Sequence, residues 1–206
     1  GGECACFDCG DGDGGFGGGD RDYAMNNSIG LLELSSIAAG FQVCDAMLKA
    51  ANVELVLARS ICSGKYMVLI RGDVAAVESA VSAGKAENEF SVIDSFVIPN
   101  VDESLFPAIA GTTKGETMDA LGVVESFSVA SLIEGADAMV KSANVRLLEV
   151  RLAMALGGKA FAVVTGSVSA VRAAVDAGAE MIGRKGLLVN KVVIANPRPE
   201  LLQELI

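Results

Sequence analysis

The chain has no histidine and no tryptophan, and only 5% of its 206 residues are aromatic. Without histidine it lacks the commonest general base and the commonest metal ligand of proteins. No pair of carboxylates stands out as a catalytic pair, and no phosphate-binding loop has its full spacing. We therefore expect a protein that is not an enzyme.

Basic residues and long apolar runs are also scarce. Lys and Arg number 16 against 26 Asp and Glu, which gives a net charge of −10. This balance argues against a nucleic-acid partner, because binding phosphates requires a surplus of Lys and Arg. No apolar run approaches the roughly 20 residues that span a bilayer, so we expect no membrane segment. The acidic, glycine-rich N-terminus does not resemble a signal peptide.

The five cysteines show no disulfide pattern, which fits a reducing compartment. Three of them, Cys4, Cys6 and Cys9, lie in a tail of Gly, Asp and Cys that we place at residues 1–27. Such a segment has too little apolar surface to fold alone. Its cysteines either share a soft metal ion or belong to an incidental extension. Its G-x-G-x-x-G pattern lacks the strand and helix that a dinucleotide site requires.

The rest of the chain is a tandem repeat. The segment Ile29–Arg59 aligns with Leu121–Arg151 at an offset of 92, and thirteen positions are identical. After the next turn the offset becomes 94, so the second copy has two extra residues there. This pattern predicts a first domain over residues 28–110, a polar linker over 111–119 and a second domain over 120–206.

Each copy reads as β-α-β-β-α-β, which predicts an α+β fold, an α/β sandwich of two ferredoxin-like domains. Ser35 or Ser36 is expected to cap the first helix, and Asn52 to end it in a left-handed conformation. Helical spacing predicts that one apolar face of this helix is buried. That face comprises Ile37, Phe41, Cys44, Leu48 and Ala51.

One cysteine lies in a turn between two predicted strands. The stretch Ser60–Tyr66, SICSGKY, places Cys62 two residues before Gly64, with no second cysteine nearby in sequence. A single thiol per chain is a poor metal site. The residues alone leave a free thiol as the simplest interpretation.

Two motifs carry a family resemblance. The stretches DAMLKAANV and DAMVKSANV, each followed by a strand, a tight turn and GK, resemble the bacterial microcompartment (BMC) shell-protein family. Two such domains in one chain imply a homotrimer that forms a pseudohexameric tile in a microcompartment shell within the cytoplasm. Other shell proteins are the implied lateral partners. The implied lattice-edge residues are Lys49, Lys141 and Arg198, and the first copy has IPNVDE where the second has the arginine.

The resemblance also implies a role for the turn. In this family the loops between the second and third strands line a central pore. The implied pore residues are Ile61, Cys62, Ser63, Gly64, Ala155, Leu156 and Gly157.

Within the family the chain is most similar to the T-type branch of propanediol-utilisation compartments. That likeness implies one [4Fe–4S] cluster per trimer, held by Cys62 from three chains, for electron transfer across the shell. Ser63 replaces a proline of that branch. A redox enzyme on either side of the shell is left open as a partner. The alternative is an open pore that conducts a small metabolite.

Overall fold

The computed structural model describes residues 27–61, 64–113, 119–152 and 159–202. The first repeat contains four strands and two long helices, and a short helix follows it. These elements are β1 (Ser28–Leu34), α1 (Ile37–Ala50), β2 (Glu54–Ile61), β3 (Lys65–Gly72), α2 (Val74–Glu87), β4 (Val92–Ile98) and α3 (Leu105–Ala110).

The second repeat has the same elements in the same order. They are β5 (Ala120–Ser126), α4 (Val129–Ser142), β6 (Arg146–Leu152), β7 (Ala160–Gly166), α5 (Val168–Gly183), β8 (Leu188–Ala195) and α6 (Pro199–Leu202). The sequence pattern did not predict the short helices α3 and α6.

The two sheets have the same topology. The strand orders are β2-β3-β1-β4 and β6-β7-β5-β8, and every pairing is antiparallel. Each sheet also has a register shift at the same place in its edge strand, between Leu55 and Leu57 in β2 and between Leu147 and Glu149 in β6. The predicted α+β fold of two βαββαβ domains is confirmed.

Side chains at the helix starts cap the helices as expected for hydroxyl and carboxylate groups. Ser36 Oγ accepts a hydrogen bond from the Ala39 N–H at 3.3 Å, and Asp73 Oδ1 accepts one from the Ala76 N–H at 2.9 Å. The predicted left-handed ending at Asn52 is wrong, because α1 ends at Ala50 and the next residue, Ala51, already has extended backbone. Strand β2 begins only a few residues later, and an extended residue leads directly towards it.

The predicted buried face of α1 is wrong for three of its five residues. Ile37, Phe41 and Leu48 are exposed, and Cys44 is buried. Several residues on the buried side are small, which allows the helix to approach its sheet and α2 closely, and the bulkier apolar residues are left on the outside. The buried set is Ala39, Gly40, Val43, Cys44 and Met47.

The hydrophobic core continues from one domain into the other. On one face of the first sheet, Leu32 and Val68 pack with α1 and α2. On the other face, Leu31 and Leu69 share a buried cluster with α3 and with α4 of the second domain. The central strands β1 and β3 of the first sheet are therefore buried on both faces. Among the described residues, no helix is long and apolar enough to span a membrane.

Candidate functional site at the strand turns and the domain junction

The turn between β2 and β3 is short and tightly bounded. Ile61 pairs with Lys65 at the end of the antiparallel ladder, and Ile61 is buried. Gly64 has a φ of +72°, a backbone conformation that residues with a side chain rarely adopt. Among the described residues, no atom outside Gly64 and its chain neighbours lies within 4 Å of the position that a Cβ would take there. The predicted pore residues Cys62 and Ser63 lie outside the described residues, as do Ala155, Leu156 and Gly157 of the second turn.

An ion pair stands beside each turn. Lys65 Nζ lies 2.8 Å from Glu33 Oε1, and Lys159 Nζ lies 3.2 Å from Glu125 Oε1. Each pair joins the end of the first strand of a domain to the start of its third strand. Glu33 and Glu125 therefore connect the two strand ends beside each turn, which is a structural role in the fold.

Within the part of the chain that the structure describes, no three His, Cys, Asp or Glu side chains come together as a metal site. Cys44, the only cysteine in these ranges, is buried in the first-domain core. Burial, and then the neighbouring Asp45 charge, raise the pKa of the Cys44 thiol. The prediction of a core role for Cys44 is confirmed. The tail cysteines Cys4, Cys6 and Cys9 lie outside the described residues.

Lys141 lies at the junction of the two domains. Its Nζ donates to Asp137 Oδ2 at 2.6 Å and to the main-chain oxygen of Asn100 at 2.7 Å. Asp137 is buried, and its Oδ1 accepts the Asp102 N–H at 2.9 Å. The end of the first domain is thus bound to α4 through its main chain. Asn100, Asp102 and Asp137 were not predicted as contact residues from the sequence, although the repeated D-x-x-x-K spacing indicates the pair on the helix.

The other two predicted edge residues are far more exposed. The side chains of Lys49 and its partner Asp45 are 74% and 63% exposed, and their ion pair measures 2.5 Å. Arg198 is 85% exposed and lies 3.2 Å from Glu200 Oε1. The hydrogen bond from Arg198 lowers the pKa of Glu200. The structure thus brings Lys141 into a domain junction and leaves Lys49 and Arg198 in solvent.

Apolar residues show the same asymmetry between the repeats. In the second domain, α4 and β6 are covered by β4 and α3 of the first domain. The corresponding surface of the first domain, on α1 and β2, is exposed. The counterpart pairs are Ile37 and Val129 (42% against 2% exposed), Phe41 and Ile133 (64% against 0%), and Leu55 and Leu147 (40% against 1%).

The covering elements also differ. Leu105 of α3 is fully buried at the junction, whereas its counterpart Leu201 of α6 is 40% exposed. The correspondence follows from the sheets, because Ile98 pairs with Ile29 and Ile194 pairs with Leu121. The chain therefore contains one complete junction and the two unmatched halves of another.

Comparisons with known proteins agree with this architecture. A family model described as "BMC domain" matches residues 28–101 and 120–197. The chain is 43% identical to the bacterial microcompartment shell protein PduT of Citrobacter freundii over 182 residues, 88% of this chain and 99% of that protein. It is 45% identical to the shell protein EutM of Salmonella typhimurium over 84 residues, 41% of this chain and 85% of EutM.

A solved structure is also similar. The crystal structure of a microcompartment protein from Desulfitobacterium hafniense DCB matches with a TM-score of 0.83 and 48% sequence identity. The match covers 87% of this chain and 99% of that one. The similarity therefore extends over both repeats.

Proposed function

This chain belongs to the BMC-domain family, and its similarity to microcompartment shell proteins covers both repeats. We propose that three copies of it assemble into a ring that forms one structural tile of a microcompartment shell. The role is structural rather than enzymatic. The observation that carries the proposal is the domain junction, which is complete once within the chain and open at both remaining ends.

The two open ends carry the counterparts of the two surfaces that meet inside the chain. The first domain exposes the α1 and β2 surface that the second domain buries, and the second domain exposes Leu201, whose counterpart Leu105 fills that junction. A second copy can therefore place its α6 end on the first domain, as α3 lies on the second. This contact is heterologous, and a heterologous contact gives a ring when its rotation closes.

Charge favours the same pairing. Residues 27–110 carry ten acidic and five basic side chains, whereas residues 119–202 carry eight acidic and nine basic ones. In a head-to-tail ring, acidic first domains alternate with second domains that are close to neutral. Contacts between unlike domains are then electrostatically favoured over contacts between two first domains. The family resemblance supplies the number three, which gives a pseudohexamer of six domains.

Analytical ultracentrifugation at micromolar concentration tests the ring directly. We expect a single species with three times the mass of the chain. A monomer or a dimer under these conditions would refute the proposed tile.

The tile is proposed to join other shell proteins along its edges. Lys49, Lys141 and Arg198 are the proposed edge residues, and each keeps part of its side chain in solvent. The counterpart of Arg198 in the first repeat is Asp102, so alternate junctions differ in charge. Sheet formation on a flat support, compared between the wild-type protein and Arg198→Ala, measures this contribution.

The central pore is proposed to hold a [4Fe–4S] cluster through Cys62 from three chains. The support is the chemistry of the donors, since thiolates are the usual ligands of iron–sulfur clusters and a threefold axis turns one thiol into three. Ile61 and Lys65 close the ladder around the turn, so its two ends are held by the sheet. When bound, such a cluster exchanges single electrons, which suits electron transfer across the shell to a redox enzyme on either side.

Iron and acid-labile sulfide, measured after anaerobic reconstitution, test the cluster. Cys62→Ser should lose both, from about one cluster per trimer by ligand count, while the trimer persists. Cys44→Ser is the matched control, because its thiol lies in the core, and it should keep the cluster. Full iron binding by Cys62→Ser protein would contradict the proposal and favour an open pore for a small metabolite.

A truncation tests whether the tail cysteines, rather than Cys62, bind the iron. Removal of residues 1–22 deletes Cys4, Cys6 and Cys9 and should leave the iron content unchanged. Loss of iron on truncation would place the ligands in the tail instead of the pore.

A further inference from the structure

The junction inside the chain contains a specific main-chain contact, which we call the clamp and define by Asp137 and Lys141. Asp137 Oδ2 accepts from Lys141 Nζ at 2.6 Å, and Asp137 Oδ1 accepts the Asp102 N–H at 2.9 Å. Lys141 Nζ also donates to Asn100 O at 2.7 Å. The clamp thus binds one carbonyl and one N–H of the segment that leaves β4.

The first domain carries the same pair in the same geometry. Asp45 and Lys49 are four residues apart on α1, as Asp137 and Lys141 are on α4. The charged groups lie 2.5 Å apart in the first pair and 2.6 Å apart in the second. In the described residues, neither side chain of the first pair bonds to a main-chain group. The first-domain pair therefore has the form of the clamp without its occupant.

The main chain that matches this occupant lies after β8. Asn100 and Asn196 have φ values of +53° and +49°, and they are the two described non-glycine residues with positive φ. Both segments are tied to the start of the first strand of their own domain, through Val101 N–H to Asn27 O and Asn196 N–H to Asp119 O, each at 2.7 Å. The donors differ by one position, because Pro197, the counterpart of Val101, has no N–H. The two exits therefore share the positive φ at the asparagine, and their hydrogen bonds are shifted by one residue.

The sequence after Asn196 also limits which main-chain N–H groups can donate to a carboxylate such as that of Asp45. Pro197 and Pro199 have no N–H, so Arg198 supplies the only main-chain donor between residues 197 and 199. Arg198 is also the counterpart of Asp102, whose N–H binds Asp137. The proline pair thus leaves a donor at the position that the clamp uses.

We propose that Asp45 and Lys49 bind the main chain at residues 196–198 of a second copy, with Lys49 Nζ donating to Asn196 O and Asp45 Oδ1 accepting the Arg198 N–H. This inference rests on the proposed head-to-tail ring and assigns the α1 pair a role in closing it. Two N–H groups of Lys49 are used in this contact, one to Asp45 and one to the carbonyl. The third stays free for a neighbouring tile, so an edge role for this lysine is compatible with the clamp.

Asp45→Ala is the sharpest test, because it removes the acceptor and leaves Lys49 in place. We expect the constant for dissociation of the trimer into three chains to rise about tenfold for each interface weakened, since a charge-assisted hydrogen bond is lost at each one. With three interfaces weakened, the protein concentration at which half of the trimer dissociates should rise roughly thirtyfold. Mass photometry across a dilution series measures this shift, and the urea midpoint of trimer dissociation measures it where the trimer is too tight to dilute apart.

Controls separate the clamp from general effects. Lys85→Ala removes an exposed lysine from the neighbouring helix α2 and should leave association unchanged. Asp137→Ala removes the clamp inside the chain, so its destabilising effect should not depend on protein concentration. Circular dichroism confirms that each variant is folded.

The outcomes distinguish this inference from the proposed function. A wild-type protein that is monomeric would refute the ring and the clamp together. A wild-type trimer with Asp45→Ala dissociation unchanged in both dilution and urea would refute the clamp alone. Weakened association by Asp45→Ala but not by Lys85→Ala would support it.

Discussion

The two domains have one fold in two environments. Each has a four-stranded sheet in the same order and two long helices that pack on it. Yet, among the described residues, α4 is buried against both its own sheet and the first domain, whereas α1 packs on elements of its own domain. The single chain thus covers this surface in one repeat and leaves it exposed in the other. The proposed ring would cover the exposed apolar residues of α1 with a second copy.

The largest expected effect is at one pair of equivalent positions in the two domains. Ile133→Asp places a carboxylate in a fully buried site, so we expect a loss of at least about 4 kcal/mol in the free energy of unfolding. Phe41→Asp, at the counterpart position, should cost the isolated chain only about 1 kcal/mol. Its main loss is the contact with the Tyr66 ring, whose centroid is 5.1 Å away. Urea unfolding monitored by circular dichroism measures both.

The same two variants should differ in assembly. Phe41→Asp is expected to give a folded monomer, because its charge lies in the proposed interface between chains. If Phe41→Asp protein remained a trimer of wild-type stability, the surface on α1 would not be the contact between copies.

The interiors of the two domains differ by changes that compensate each other. In the first domain a Cβ added at Gly40 would lie 2.2 Å from a ring carbon of Tyr66. In the second domain the counterparts are Leu132 and Ala160, both fully buried. A small residue on the helix faces a large one on the strand in one domain, and the sizes are reversed in the other. Cores keep their volume in this way because they are close-packed.

An intermediate effect follows from this exchange. Gly40→Leu should destabilise the first domain by about 3 kcal/mol, because the added side chain overlaps the Tyr66 ring. The double variant Gly40→Leu, Tyr66→Ala reproduces the second-domain pair and should recover about 2 kcal/mol relative to the sum of the single changes. A double-mutant cycle by urea unfolding measures the coupling. Additive single effects would show that the two positions are not packed as a pair.

The smallest expected effect concerns pH. Burial is the main cause that raises the pKa values of Cys44 and Tyr66, and both counterparts in the second domain are alanines, Ala136 and Ala160. Because the pKa of the Cys44 thiol is higher in the folded state than in the unfolded state, its contribution to stability is complete below the ordinary thiol pKa of about 8.5. The contribution is lost as the pH rises through the raised pKa of the folded state. Alkaline pH should therefore weaken the first domain more than the second.

Cys44→Ala isolates the thiol part of this effect. Its stability should fall less steeply between about pH 8 and pH 10 than that of the wild-type protein, because the variant has no thiol to ionise. Urea midpoints across the pH series provide the measurement. Parallel curves for the two proteins would assign the alkaline loss to other groups.

Much of the fold could be predicted from the sequence, because it depends on local patterns. The repeat at offsets of 92 and 94, the alternation of strands and helices, and the cap at Ser36 are all consequences of residue type and spacing. The thiol at Cys62 could also be found, since a lone cysteine in a predicted turn is visible without coordinates. Its proposed role required the family resemblance.

Residue order was enough to specify two βαββαβ domains, because hydrophobic periodicity and capping groups act within a few residues of each other. Long-range packing was needed to decide which face of α1 is buried and which aspartate, Asp45 or Asp137, is enclosed. The burial of these residues depends on which part of the chain packs against each helix. The motifs around Asp45 and Asp137 are too similar for the local sequence to show this difference. Burial is a property of the contacts that surround a residue, and here the same motif meets the first domain in one repeat and solvent in the other.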